Sequence, residues 1–163
     1  PLAMELVSAQ LTHADPGVRQ AAVQALARVA GRGNASAVTL LIARTADDES
    51  QVRRAALQAF PSVAEEGDSL ATTHILSLLV DREDHVARSA AKALGKVAGK
   101  DSEEIIALLQ EKMQGASGNM LKAGLTALAC LARRGNARAI EIGSAYLDNE
   151  DEEVKDAAAK AMA

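Results

Sequence analysis

The pattern of apolar and polar positions recurs every 34 residues from one end of the chain to the other. It is clearest in Asp15-Pro16-Gly17-Val18-Arg19-Gln20-Ala21-Ala22-Val23-Gln24-Ala25-Leu26-Ala27-Arg28-Val29-Ala30. One period at a time, Val18 leads to Val52, Val86, Met120 and Val154. Leu26 leads to Phe60, Leu94, Leu128 and Met162, and Ala25 to Ala59, Ala93, Ala127 and Ala161. Val29 leads to Val63, Val97 and Leu131. Within one period Val18, Ala22, Ala25, Leu26 and Val29 have helical spacing, with Arg19, Gln20, Gln24 and Arg28 facing the other way. Asp15 is a good N-cap, and Pro16 suits the first helical position.

A second helix follows in each period. Gly31-Arg32-Gly33 stops the first helix, and Asn34 heads a column of N-cap residues continued by Asp68, Ser102 and Asn136. Gly33, Gly67, Asp101 and Gly135 precede them. The second helix carries its own stripe: Ala37, Val38 and Leu41, then Ala71, Ile75 and Leu79, then Ile105, Ile106, Leu109 and Met113, then Ala139, Ile140 and Leu147. Polar runs such as Asp47-Asp48-Glu49-Ser50 and Asp81-Arg82-Glu83-Asp84 join one repeat to the next. Helical pairs at a fixed period of this size predict an all-α solenoid.

Reading each repeat from its Asp15-type cap gives one domain over residues 1–163. It divides into a half-repeat 1–14, repeats 15–48, 49–82, 83–116 and 117–150, and a half-repeat 151–163. Neither end carries a polar cap, which solenoids need for solubility. This frame therefore predicts a segment of a longer array, with Met162, Leu6 and Val7 partly uncovered and end-to-end self-association open to it. The opening on Pro1 rather than Met fits a fragment. Two departures from the repeat predict local change. Pro61 inside a first helix should kink it after Phe60. Gly115-Ala116-Ser117-Gly118-Asn119, where other repeats have an acidic turn, should act as a hinge or alter the curvature.

Composition narrows the picture. Phe60 and Tyr146 are the only aromatics, so Ala, Leu, Val, Ile and Met must build the core, and alanine at this density favours helices. The net charge of −4 is concentrated at the end: residues 148–163 hold six acids and two bases, and the preceding 147 residues are balanced. A balanced chain without stacking aromatics does not read as a nucleic-acid binder. The single Cys130 excludes an internal disulfide and fits a reducing compartment. No signal peptide or membrane span is legible, so the expectation is the cytoplasm or the soluble interior of an organelle.

At Asp15-Pro16-x-Val18-Arg19-x-Ala21-Ala22-x-x-Ala25-Leu26 and Glu49-x-x-Val52-Arg53-Arg54-Ala55-Ala56-x-x-Ala59-Phe60 the sequence resembles the HEAT repeat family. It is most similar to the short, alanine-rich HEAT-like repeats found in phycobilisome bilin lyases. The resemblance covers nearly the whole chain and weakens near Ser117, where Met120-Leu121 replaces Val-Arg. It implies a right-handed α-α superhelix of about four to five 34-residue hairpins whose second helices line a concave, partner-binding face. It also implies that an acidic turn residue and the arginine four positions on tie repeats together. Asp15/Arg19 and Glu49/Arg53 match that ladder, and Ala87 and Leu121 depart from it.

Candidate chemistry is sparse. His13, His74 and His85 lack a second ligand at metal-binding spacing, and the His-Glu pairs of HEAT-like di-iron hydroxylases are absent. Neither a cofactor nor a metal is expected. Cys130 has no activating neighbour, and no nucleophile elbow or phosphate loop occurs. Arg19, Arg53, Arg54, Arg88, Lys122, Arg28, Lys96 and Lys92 form a basic stripe along the first helices, read as an outer, solvated face. On the second helices one column gives Arg44, Leu78, Lys112 and Tyr146, and tyrosine is enriched where interfaces hold their energy. These four are the expected lining of a partner groove. The sequence thus predicts a non-catalytic scaffold that binds a protein or peptide on its concave face. The alternatives are a bilin-lyase-like subunit acting on a phycobiliprotein and, more weakly, nucleic-acid binding through the basic stripe.

Overall fold

The computed structural model describes residues 2–116 and 118–163. Pro1, and Ser117 of the expected hinge, lie outside the described residues. The rest forms ten α-helices: α1 Leu2–Gln10, α2 Pro16–Val29, α3 Ala35–Thr45, α4 Ser50–Val63, α5 Ser69–Ser77, α6 Asp84–Val97, α7 Glu103–Met113, α8 Gly118–Leu131, α9 Ala137–Ser144 and α10 Glu152–Met162. A 3₁₀ turn, Leu78–Val80, extends α5. There is no strand among the described residues.

The capping chemistry starts these helices where the sequence placed them. Asp15 accepts from the Gly17 amide, and Asn34, Asp68 and Asn136 accept from the amides of Ala37, Ala71 and Ala139. Ser102 occupies the same position without making the bond. Just ahead of it, Asp101 stands where the other repeats have glycine and adopts φ 57°, a left-handed backbone. Its carboxylate offsets that strain by accepting from the Arg133 amide and the Asn136 side chain.

The repeat unit differs from the frame read in the sequence. Each short helix packs mainly on the long helix that follows it (α1 on α2, α3 on α4, and so on to α9 on α10), and α3 touches α2 only lightly. The described residues therefore make five short–long hairpins, with boundaries in the turns near 31–34, 65–68, 99–102 and 133–136 rather than at Asp15 and its equivalents. The segments read as half-repeats at the two ends pair with their neighbours to complete hairpins.

The core follows the repeat columns. Leu26, Phe60, Leu94 and Leu128 are fully buried, as are Val23, Leu57, Ala91 and Leu125, a column the sequence reading passed over. Three residues of the expected stripes are exposed: Val29 (42%), Ile140 (36%) and Leu147 (38%). For Val29 the cause is visible in its counterparts. Val63, Val97 and Leu131 are buried, and their carbonyls accept from the Gly33, Gly67 and Asp101 amides of the preceding hairpin's turn; no such turn lies over Val29. Ile140 and Leu147 sit where the last short helix stops early, at Ser144, and Ile142 takes the buried place. Leu2 and Leu6 on α1 are exposed, as expected of Leu6.

The two departures have milder effects than expected. α4 runs through Pro61 to Val63 and closes like α2, the Ala64 amide donating to Phe60 as Ala30 does to Leu26. Pro61 falls in the last turn, where few downstream bonds depend on it. Across the glycine junction, α6 and α8 form the most extensive helix pair of the stack. A Cβ on Gly95 would lie 2.4 Å from the Cys130 Cβ and 2.7 Å from its backbone carbon and oxygen. The turn at Gly115 and Gly118 uses positive φ, 71° and 49°, and the helices on either side of it are closely packed.

Candidate functional site

Which face is concave follows from spacing. Long helices of successive hairpins pack side by side, while successive short helices barely touch. A stack bends toward the layer whose members lie closer together, so the long helices line the inner curve. Grooves on that face agree: one is bounded together by Gln20 and Gln24 of α2, Gln51, Arg54 and Gln58 of α4, and His85 of α6. Another takes in Arg88 of α6, Lys122 and Cys130 of α8, and Asp156 and Lys160 of α10. Grooves that touch three successive helices are in keeping with a surface that curves inward. The expectation that the second, short helices form the concave face is corrected.

The four residues expected to line a groove fall on the other layer. Leu78 is 8% exposed and belongs to the core, because the 3₁₀ turn after α5 rotates it inward. Arg44 donates from Nη1 to the Leu11 carbonyl at 2.5 Å, and Tyr146 from its hydroxyl to the Met113 carbonyl at 3.4 Å. Both reach back 33 residues to the C-terminal end of the preceding short helix or the turn just after it, so this column ties hairpins together. Lys112 alone is exposed. These four do not come together as a recognition surface.

Two arginines of the basic stripe are also structural. Arg53, 6% exposed, donates to both Asp81 carboxylate oxygens at 2.8 and 2.9 Å and to the Asp47 and Asp48 carbonyls. Arg19 repeats this with Asp47 and the carbonyls of His13 and Ala14. Each guanidinium thus joins its own hairpin's turn to the turn of the next. The acid is the aspartate 28 residues on, rather than Asp15 or Glu49, four residues back. The carboxylate also accepts from a local amide, Glu49 on Asp47 and Glu83 on Asp81. Burial alone raises the carboxyls of Asp47 and Asp81, but the arginine hydrogen bonds, the turn amides and the positive charge outweigh it and hold both below the usual range. The ladder ends there: Ala87 and Leu121 replace the next arginines, and both are buried.

The remaining cations define the site. Arg54 of α4 and Arg88, Lys92 and Lys96 of α6 border a groove of about 430 Å³ floored by Leu57, Pro61 and Ala93. Arg88 pairs with Asp84 at 2.7 Å, an exposed contact. Among the described residues no ion pair engages Arg54, Lys92 or Lys96. Toward α2 the lining turns to Gln20, Gln24, Gln51 and Gln58, and Arg54 borders this groove as well. Toward α10 charges are paired, Lys122 with Glu153 and Lys160 with Asp156. The sequence held this signal in two columns, Gln20/Arg54/Arg88/Lys122/Asp156 and Gln24/Gln58/Lys92/Thr126/Lys160, but the helix pairing was needed to turn that face inward.

Other candidate chemistry stays dispersed. His13 accepts the Asp15 amide in a turn, His74 is half-buried on α5, and His85 opens α6 beside the groove. Among the described residues no group of three or more His, Cys, Asp or Glu side chains is placed to hold a metal ion. No helix among them is long and apolar enough to cross a membrane.

Comparison with known proteins agrees with this geometry. The family model for HEAT repeats matches residues 1–61. No curated protein matches the chain. Among solved structures, an engineered protein superposes with a TM-score of 0.61 at 22% identity, covering 98% of this chain and 77% of its own. A designed armadillo repeat protein in complex with a (KR)4 peptide gives 0.61 at 20%, over 96% of this chain and 79% of its own. The complex of CpcE and CpcF of phycocyanin lyase from Nostoc sp. PCC7120 gives 0.65 at 26%, over 99% of this chain and 64% of the matched one. The described residues thus form an α-solenoid of short–long helical hairpins that continues to residue 162, and over residues 1–61 the chain matches the family model for HEAT repeats.

Proposed function

We propose that this solenoid is a non-catalytic scaffold that binds an extended protein segment along the trough of its long helices. The observation that carries the reading is the side-by-side packing of successive long helices, whose grooves are each bounded by helices of two or three successive hairpins. A segment lying across them would meet each hairpin in turn. Glutamine amides at the α2/α4 end supply a donor and an acceptor each, the complement of a peptide backbone. The designed armadillo protein bound to a (KR)4 peptide supports the reading as a precedent of the same architecture.

The test is peptide selection on the immobilised protein, followed by binding to a Gln58→Trp/Ser89→Trp variant that fills the trough from both sides. Selected peptides that bind the parent and lose the variant, with its circular dichroism unchanged, support the reading. Peptides that bind both equally, or that protect the short helices, refute it.

The likeness to the CpcE–CpcF complex favours a second reading, a lyase-like subunit that works beside a partner chain. Addition of a bilin should then change its absorption spectrum, and an unaltered spectrum counts against that role.

A further inference from the structure

We infer that the α4/α6 section of the trough selects an acidic stretch of the bound segment, a short run of Asp or Glu side chains. This rests on the trough being the binding face and adds the chemistry of what it binds.

The charge map is uneven in a specific way. The chain as a whole carries −4, so an acidic partner gains nothing from its average field. Inside the trough the balance reverses at one place. Arg54, Lys92 and Lys96 are exposed and engage no carboxylate among the described residues, and Arg88 is held only by the half-buried Asp84. No acid borders this groove, and Leu57 and Ala93 form an apolar floor that excludes water from one side of any ion pair made there. Pairs formed over such a floor are less screened than pairs on an open surface. On one side four glutamines join Arg54 in the lining, and on the other Glu153 and Asp156 already have lysine partners. The unbalanced positive charge is thus densest in one interval of the stack, where Arg54, Lys92 and Lys96 border a single groove.

That interval sets the length of the acidic run. Packed helices lie about 8–10 Å apart, and an extended chain advances about 3.3 Å per residue. One interval therefore spans about three residues, matching the three unengaged cations. A long polyanion would run on over Asp84, Glu153 and Asp156, whose cations are already paired, and gain nothing there, and the trough offers no Phe, Tyr or Trp for a base to stack on. A peptide carboxylate run fits better than a nucleic acid.

The experiment uses three fluorescent peptides of equal length, about twelve residues, with a serine- and glutamine-rich frame. The central positions are Glu-Asp-Glu, Lys-Arg-Lys or Ser-Ser-Ser, and binding is followed by anisotropy on the whole chain. The acidic probe should bind about tenfold more tightly than the neutral one and weaken several-fold as salt rises from about 0.05 to 0.5 M. Lys92→Glu/Lys96→Glu should reverse the order of acidic and basic probes. Lys92→Gln/Lys96→Gln, which leaves Arg54 as the one unengaged cation of the groove, should remove most of the preference without disturbing the fold. Equal binding of acidic and neutral probes overturns the charge assignment while leaving the trough as the binding face. An oligothymidylate that binds more tightly than the acidic peptide also overturns it. Absence of binding by every probe refutes this inference, and the selection experiment then decides separately whether the trough binds segments at all.

Discussion

Replacing Arg53 by alanine is the sharpest test of how the stack is held together. The Arg53 and Asp81 side chains are each 7% exposed, and their two hydrogen bonds are 2.8 and 2.9 Å long. The variant leaves the Asp81 carboxylate with the Glu83 amide but no paired counter-charge, and deprives the Asp47 carbonyl of its donor, while the Asp48 carbonyl keeps Arg82. Breaking a buried pair from one side costs about 3–5 kcal/mol. The residual exposure and the surviving amide bond place this one lower, at about 2–4 kcal/mol. For a chain of this size that corresponds to a fall in Tm of about 5–12 °C. In a solenoid the loss falls on one interface, so the urea transition should also broaden as hairpins on either side uncouple. The assay is urea denaturation followed by circular dichroism for Arg53→Ala, Asp81→Ala and the double variant. The double variant should be less destabilised than the two single effects combined, because either change alone strands the other charge. A cost below about 0.5 kcal/mol for Arg53→Ala, or strict additivity, would refute the view that this pair holds the hairpins together.

Acid should act through the same rungs. The carboxyls of Asp47 and Asp81 lie below their unfolded value of about 3.9, so they contribute stability above that pH and lose it as pH falls through their folded values. Stability should drop from about pH 4 downward, and an Arg53→Ala chain should show a shallower drop over that window; parallel acid limbs would contradict the assignment. Gly95→Ala gains about 1 kcal/mol of helix propensity but drives a methyl into the Cys130 backbone, where overpacking costs about 1–3 kcal/mol or more. Net destabilisation in urea is expected, and a stabilised variant would show that α6 and α8 are not so close. Asn34→Ala should cost about 1 kcal/mol through its lost cap bond, whereas Ser102→Ala, which loses none, should be nearly neutral. Equal costs would mean that cap geometry is not what separates the two sites. Tyr146→Ala should lower stability without altering the affinity of any trough-bound peptide, since its hydroxyl is bonded back to Met113.

What the sequence determined on its own was the local physics. The period, the helix starts and most of the core follow from cap residues and from apolar spacing along single helices, which depend on neighbours a few positions away. Asp15, Asn34, Asp68 and Asn136 could be read without knowing what the helices pack against. What the tertiary structure decided was pairing and curvature. A periodic pattern looks the same whether a short helix belongs with the long helix before or after it, so the hairpin frame was free until packing set it. With the frame came the concave side, which turned Arg54, Lys92 and Lys96 from an outer stripe into the lining of a trough. It placed Arg44 and Tyr146 among the ties between hairpins. The partner of Arg53 was hidden for the same reason: Asp81 lies 28 residues on, and only the stacking of one turn over the next brings charge to charge.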